Sequence, residues 1–161
     1  MADAIAPQEF IAFRFRVTLF DSNDVGKELC RGAFSEVSGL EASMTPKTYK
    51  EGGRNWGEVQ LSGPTTFAPV VLKRGITDLD HLWSWFETTT RSANYGLRYS
   101  GMIDVFLPSG EPALRWNLAN VLPTKFKGPD LSATAKEVAI EELHLVHEGL
   151  TLERPPAGQG Q

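Results

Sequence analysis

Several features that specialised classes of protein need are scarce in this sequence. It contains a single cysteine, Cys30, so no intrachain disulfide is possible and a reducing, cytoplasmic environment is the simple prediction. No apolar run reaches the roughly 18 residues that a membrane-spanning helix requires. The first residues, MADAIAPQEF, lack the basic and apolar segments of a secretory signal. We therefore expect a protein that folds in the cytoplasm and does not span a membrane.

Positive charge is also scarce. The chain has 16 Lys and Arg against 20 Asp and Glu, a net charge of -4, and no run of five like charges. The basic surface typical of nucleic-acid binding is therefore not expected. Arginines stand beside aromatic residues in NYGLRY and LRWN, but alternating aromatic residues in strands are more typical of a core than of a base-stacking surface. We predict no specific nucleic-acid binding.

Motifs for catalysis and metal binding are equally hard to find. His144 and His147 are three residues apart in a predicted strand, so their side chains point to opposite faces and cannot share a metal ion. The adjacent Glu141 and Glu142 also face opposite ways and cannot form an acid–base pair. No phosphate-binding glycine loop or nucleophile elbow occurs. The sequence predicts no catalytic residue, no cofactor and no metal site, and hence no enzyme.

Short alternating segments separated by turns dominate the chain, whose 15 Gly and 10 Pro interrupt it often. FIAFRFRVTLF alternates apolar and polar residues, which predicts a half-buried strand with Phe13, Phe15 and Val17 in the core. LRYSGMIDVFL and PALRWNLANVLP predict a β-hairpin with Gly110 in its turn. With 161 residues the chain fits one domain.

The last strand, KEVAIEELHLVHEGL, has a change of phase within it. Val138 and Ile140 share one face, whereas Leu143 and Leu145 fall on the other. A β-bulge near Glu141–Glu142 would bring both pairs to one face, so we predict a bulge there. Residues 1–150 are predicted to form the single domain, and residues 151–161 a flexible tail.

Only one segment, KRGITDLDHLWSWFETTTR, has helical periodicity, and it predicts a helix over about residues 78–91. At 100° per residue one apolar stripe forms, and it is predicted to face the core. Trp85 lies about 110° from the centre of that stripe, on its flank, and is not predicted to be core. The residues of the stripe are Leu79, Leu82, Trp83 and Phe86.

Between two predicted strands lies an unusually long connection, residues 51–69. Loops beyond about 12–15 residues are usually functional or disordered. This one contains Trp56, Leu61 and Phe67, too much apolar surface for an idle linker. Together these segments predict a mainly β protein, an antiparallel β-sandwich or barrel with one flanking helix.

Five motifs then occur in a recognisable order: FSEVSGL, YKEGG, LKRGIT leading into LWSWF, NVLPTKFKGPDL and EVAIEELHLVHEGL. In this order they strongly resemble the tail-tube protein family of contractile phages and phage-derived injection systems. The resemblance covers roughly Phe13 to Leu150. It implies a structural subunit that forms hexameric rings, joined through their sheets and stacked into a hollow inner tube.

The resemblance also implies partners. They are further copies of the chain, a surrounding sheath protein, baseplate or hub proteins, tube-terminating proteins, and a cargo in the lumen, with folding and assembly in the bacterial cytoplasm. The extended connection of the family reaches between subunits and rings, so Trp56, Leu61 and Phe67 are expected at interfaces. Trp85, off the core stripe, is expected there too, because aromatic residues concentrate at interfaces. The alternative for Trp85 is half-burial under the NYGLRY segment of the same subunit.

Some alternatives stay open at the level of sequence. The chain resembles the repeated tube subunit, but it could also be a tube-initiating or adaptor paralogue at the baseplate. An alternative from a different class of protein is a monomeric β-barrel that binds a small ligand. A phage and a headless injection system are not distinguished. A ring of six copies would carry -24, six times the -4 of the chain, but Arg14 and Arg16 would reverse the sign of the lumen if they lined it.

Overall fold

The computed structural model of the chain describes residues 14–32, 34–76, 81–91, 98–134 and 136–154. These residues form twelve β-strands and one α-helix. The strands are β1 (Arg14–Asp21), β2 (Asp24–Gly32), β3 (Glu36–Ser38), β4 (Ala42–Met44), β5 (Lys47–Tyr49), β6 (Val59–Leu61), β7 (Thr65–Phe67), β8 (Val70–Gly75), β9 (Tyr99–Phe106), β10 (Pro112–Lys127), β11 (Ile140–Val146) and β12 (Gly149–Glu153), and the helix is α1 (His81–Arg91). No helix in this part of the chain is long and apolar enough to cross a membrane.

One long strand, β10, joins two layers of sheet. The strand order is β2-β1-β9-β10-β11-β8-β3, with β12 also paired to β10, and every pairing is antiparallel. The first part of β10 lies between β9 and β12, and its last part pairs with β11. Between them Asn120 has a φ of 50°, in the left-handed region, and the register with β9 shifts. The mainly β, antiparallel fold with one helix confirms the predicted fold class.

The core lies between these layers. Alternation along β1 buries Val17 and Leu19, and Phe15 packs against them from the edge. Phe13 and Leu79, also expected in the core, lie outside the described residues. The hairpin of β9 and β10 is as expected, with Gly110 at a φ of 92° in its turn. The buried apolar residues are Val17, Leu19, Phe34, Val70, Leu72, Leu82, Trp85, Tyr99, Ile103, Leu118, Val121, Leu143 and Leu145.

The helix is rotated relative to the sequence-based expectation. Leu82 and Trp85 are buried, with Trp85 only 2 % exposed, whereas Trp83 is 45 % exposed, the reverse of the predicted roles. The buried line continues one turn later to Thr89, which is half-buried and whose hydroxyl donates to the carbonyl oxygen of Trp85 at 2.9 Å. A prediction from hydropathy alone counts threonine as polar, so it places the core-facing stripe of the helix nearer to Trp83 and Phe86. The expected N-cap falls within residues 77–80, outside the described residues.

Two further expectations about the end of the chain are corrected. β11 pairs with β8 in unbroken register from Ile140 to Leu145, so there is no bulge at Glu141–Glu142. Leu143 and Leu145 face the core, while Ile140 is simply on the other face and 44 % exposed. β12 extends to Glu153, beyond the predicted domain boundary at residue 150, because residues 151–153 complete a ladder with β10.

The long connection proves to be half of a β-hairpin. β4 pairs with β7, and β5 pairs with β6, so Ala42–Phe67 folds back on itself as two consecutive two-stranded ladders. We call this hairpin the arm. The sequence did not predict it because each of its ladders is only three residues long on each strand.

Candidate assembly surfaces

The two strands of the arm are held together by contacts between them. Between the two ladders each strand carries a proline, Pro46 or Pro64, which cannot donate to a ladder. There the amide nitrogen of Thr45 donates to the carbonyl oxygen of Pro64 at 3.2 Å, and a Cβ at Gly63 would lie 1.7 Å from the carbonyl oxygen of Thr45. Only glycine allows this close approach, so the two ladders join without separating the strands.

The base of the arm is fixed to the body. The amide nitrogen of Ala68 donates to the carbonyl oxygen of Glu41 at 3.1 Å, which closes the hairpin. Phe67 packs against the buried ring of His147, with centroids 5.2 Å apart. His147 is in turn positioned by its Nδ1, which donates to the carbonyl oxygen of Gly149 at 3.0 Å. Phe67 therefore fixes the arm to its own subunit. It was expected at an interface, but it lies at the base of the arm and not at its exposed end.

Beyond its base the arm exposes apolar side chains to solvent. Trp56, in the turn at its end, is 89 % exposed, and Tyr49 and Leu61 are 58 % and 50 % exposed. Met44 is exposed as well, at 47 %. Exposed apolar groups concentrated on one projecting element mark a contact with another molecule. No residue of the arm belongs to the core cluster of the described subunit.

A second aromatic surface lies on the outer side of the helix. Trp83 packs on Phe86 and on Phe126 of β10, at centroid distances of 5.8 and 5.4 Å. The helix packs against β10 and β2. The base of the arm, by contrast, lies next to β12 through His147 and Gly149. The two aromatic surfaces are therefore separate, one on the helix beside Phe126 and the other on the arm.

The face of the sheet β2-β1-β9-β10-β12 turned away from the core carries a row of charges beside Met102 and Phe106, and its Asp104 is 7 % exposed. Arg16, Asp104, Arg115 and Glu153 stand opposite one another in the register of β1, β9, β10 and β12. The Nε of Arg115 donates to Oδ1 of Asp104 at 2.6 Å, and a terminal guanidinium nitrogen of Arg115 lies 3.8 Å from Oε1 of Glu153. We call these four residues the charge row. Its signs alternate strictly, beginning with a cation and ending with an anion.

The side chains considered for chemistry have structural partners. Glu141 forms a buried ion pair with Arg74, whereas Glu142 accepts a hydrogen bond from His144 at 3.3 Å on the opposite face. That hydrogen bond, more than the nearby lysines, lowers the pKa of the Glu142 carboxyl. Among the described residues no three His, Cys, Asp or Glu side chains converge on a possible metal position.

An apolar groove of about 360 Å³ opens between the two layers. A monomeric ligand-binding barrel would have to use such a space. Ligand sites normally combine apolar walls with a few convergent polar groups. Here the lining side chains are apolar except for the indole N–H of Trp116, so the groove lacks the convergent polar groups of a ligand site. The lining residues are Phe15, Val37, Leu40, Ile103, Val105, Leu114 and Trp116.

Comparison with protein families decides what kind of protein carries these surfaces. The profile of the family described as T4-like virus tail tube protein gp19 matches residues 11–151, most of the chain. The chain belongs to that family. The resemblance in the five ordered motifs is thereby confirmed. A search of curated proteins gives no match for this tail tube protein.

Solved structures share the fold. A chain of the anti-feeding prophage baseplate, six-fold symmetrised, matches with a TM-score of 0.78 and 23% identity over 92% of this chain and 97% of that one. A chain of the PVC extracellular contractile injection system, from its extended sheath–tube complex, gives 0.74 and 21% over 94% and 95%. Hcp1 from Flavobacterium johnsoniae gives 0.53 and 11% over 87% and 96%. At these identities the matches show that the tail tube protein shares its fold with them.

Proposed function

We propose that this tail tube protein is the repeated subunit of the inner tube of a contractile phage tail or phage-tail-like injection system. Six copies form a ring, the sheets join around the ring with the face that carries the charge row towards the lumen, and the rings stack into a tube. The arm carries this proposal: it projects Trp56, Tyr49 and Leu61 into solvent although the body needs none of them to fold. An edge strand has unpaired backbone N–H and C=O groups, which can pair with a strand of a neighbouring copy.

The interface residues differ in one respect from the sequence-based set. Trp56 and Leu61 remain proposed contacts between subunits, whereas Trp85 is withdrawn because it is 2 % exposed within one subunit. Trp83, 45 % exposed beside Phe126, takes its place as the aromatic contact of the helix. Trp83 and the arm are two separate exposed surfaces of the subunit, which suits a ring in which each copy meets its neighbours through two different surfaces.

The proposed partners follow from the assemblies in which similar chains are found. Those structures are described as a baseplate, a sheath–tube complex, a tube-terminating cap and a sheath/tube terminator. A sheath protein, baseplate proteins and a terminating protein are therefore the partners we propose, with a cargo conducted through the lumen and assembly in the bacterial cytoplasm. We assign the chain a structural role and no catalytic activity.

Assembly of the purified chain tests the proposal. Size-exclusion chromatography and negative-stain microscopy of the full chain, over increasing protein concentration, should show rings and then tubes. A persistent 17.7 kDa monomer at high concentration, together with the absence of the protein from the tubes of purified particles, would contradict it. Copy number in purified particles separates the repeated subunit, with many copies along the tube, from an initiator or adaptor confined to the baseplate.

A further inference from the structure

We propose that the charge row continues from one subunit to the next, with Glu153 of one copy pairing with Arg16 of its neighbour. The row then forms a closed circle of alternating charge around each ring. This inference rests on the proposed function, because it assumes that copies meet edge to edge. It adds the residues that join them and the direction in which they join.

The two ends of the charge row lie on β12, an edge strand, and on β1, which is bordered by β2. Glu153 is the last residue of β12, which pairs with β10 only. The backbone edge of β12 that faces away from β10 is therefore unpaired among the described strands. At the opposite edge the described pairing of β1 with β2 ends at Val17, one residue short of Arg16. Adjacent strands are about 4.8 Å apart, so the row spans about 14 Å from Arg16 to Glu153. Glu153 is therefore placed where a neighbouring sheet would arrive, and Arg16 lies next to the end of the described ladder between β1 and β2.

Each end also has unused capacity to bind an opposite charge. The Arg16 guanidinium lies over the ring of Phe106, 5.1 Å from its centroid, and no described carboxylate is within ion-pair distance of it. A guanidinium has five N–H donors, which a ring face does not satisfy. At the other end the Glu153 side chain is 54% exposed, and its contact with Arg115 is the longer of the two in the row.

The alternation of charge favours a second copy of this chain over any other partner. Nucleic acid or an anionic membrane would require a surface of uniform positive charge, and the row alternates. A cationic end and an anionic end on one molecule are instead complementary to each other in two copies. When one Glu153 end meets one Arg16 end, the pair of copies again has one free end of each kind. Such a head-to-tail contact repeats until the ring closes.

Charge reversal with mixed copies tests this inference. Arg16→Glu gives a copy with two anionic ends, and Glu153→Arg gives a copy with two cationic ends. Each variant alone should need about tenfold more protein to assemble than the native chain, because every junction joins like charges. An equal mixture of R16E and E153R should assemble near the native concentration, with the two copies alternating. Sedimentation and negative-stain microscopy give the amount and form of the assemblies, and a fluorescent label on one variant shows incorporation.

Control variants separate the junction from the fold. Glu148→Arg reverses another exposed carboxylate, one that accepts from the amide of Asn120 outside the charge row. Labelled R16E should be incorporated less with E148R than with E153R, because one of its two junctions then still joins like charges. Thermal melts show whether R16E and E153R remain folded. If either does not, Arg16→Gln and Glu153→Gln replace them: the double variant should assemble no worse than the weaker single one, because the two changes remove the same pair.

The outcomes are distinct. The inference is overturned if R16E and E153R each assemble at the native concentration, or if their mixture assembles no better than each alone. The effect should also shrink towards about 1 M salt, where the screening length is about 3 Å. Native tubes with variants that behave like the native chain would refute only this inference. A native chain that stays monomeric and is absent from the tubes of purified particles would refute the proposed function itself.

Discussion

The body of the subunit buries its aromatic residues, whereas the arm exposes residues of the same kinds to solvent. In the body Trp85 is 2 % exposed and packs edge-on against Tyr99 at 5.0 Å. On the arm Trp56 is 89 % exposed, and Tyr49 is 58 % exposed. Burial of an aromatic side chain within one chain stabilises the fold, whereas an exposed one contributes only when a partner covers it. The two regions should therefore respond differently to mutation: changes in the body lower stability, and changes in the arm lower assembly.

Removal of the arm should have the largest effect and should separate assembly from folding completely. Deletion of Ser43–Thr66, with an Asn-Gly turn joining Ala42 to Phe67, keeps the base of the arm, where these two residues already pair. The body should fold with a melting temperature within a few degrees of native, because a shorter surface loop changes the entropy little. Tubes should be absent in negative stain. Tubes of normal length from this variant would contradict the role of the arm.

Trp85→Ala should have the next largest effect, and it should fall on stability. Truncation of a buried aromatic residue costs about 3–5 kcal/mol in the free energy of unfolding. Trp83→Ala is the matched control on the same helix, and at 45 % exposure it should cost about 1 kcal/mol or less. Trp85→Phe should recover part of the loss, since the indole N–H of Trp85 has no partner among the described residues. Denaturant unfolding measures all three. Equal losses for the two alanine variants would contradict the assignment of Trp85 to the core.

Trp56→Ala should leave the free energy of unfolding unchanged and weaken assembly. Tryptophans at the centre of an interface often contribute about 2 kcal/mol, which corresponds to about a 30-fold change in the concentration needed for assembly. Sedimentation across a concentration series measures this change. Thr65→Ala, also on the arm but with a small, exposed side chain, is the control and should assemble like the native chain. If the two variants assemble alike, Trp56 is not a contact residue.

These contrasts also show how far sequence reasoning reaches. Regular alternation predicted β1 and the hairpin of β9 and β10, because a period of two over many residues has few alternative explanations. The predicted buried face of the helix was wrong because Thr89, a polar residue, lies on the observed one. Its hydroxyl donates to a backbone carbonyl oxygen, so the residue can be half-buried. Such local compensation is not visible in hydropathy.

The charge row was beyond sequence reasoning for a different reason. Its members are widely separated along the chain, and only the register of four strands brings them together. Register depends on turns and on the core face of every strand at once, so it is a property of the whole sheet. The short ladders of the arm were missed because strands of three residues have too few positions to show a period.

The smallest expected effect concerns nucleic acid and the face of the sheet that carries the charge row. A ring of six copies carries -24, six times the -4 of the chain, but on the proposed lumen face the charge row is neutral, since Arg16 and Arg115 balance Asp104 and Glu153. Salt at about 0.15 M screens charges beyond about 8 Å, so alternating charges at strand spacing cancel for a passing polyanion. We expect no measurable retention of DNA by intact tubes in a filter-binding assay at that salt concentration.

A variant sharpens this last prediction. Glu153→Gln leaves an uncompensated positive charge in each row, so tubes of this variant should retain DNA at about 0.05 M salt. They should release it by about 0.2 M salt, because binding through a few phosphate contacts weakens as the salt concentration rises. Glu148→Gln, outside the row, removes the same charge and should leave retention unchanged, which separates local charge from net charge. Salt-sensitive DNA retention by native tubes at about 0.15 M salt would mean that Arg14 and other cations dominate the lumen. Equal retention by both variants would mean that the charge row does not face it.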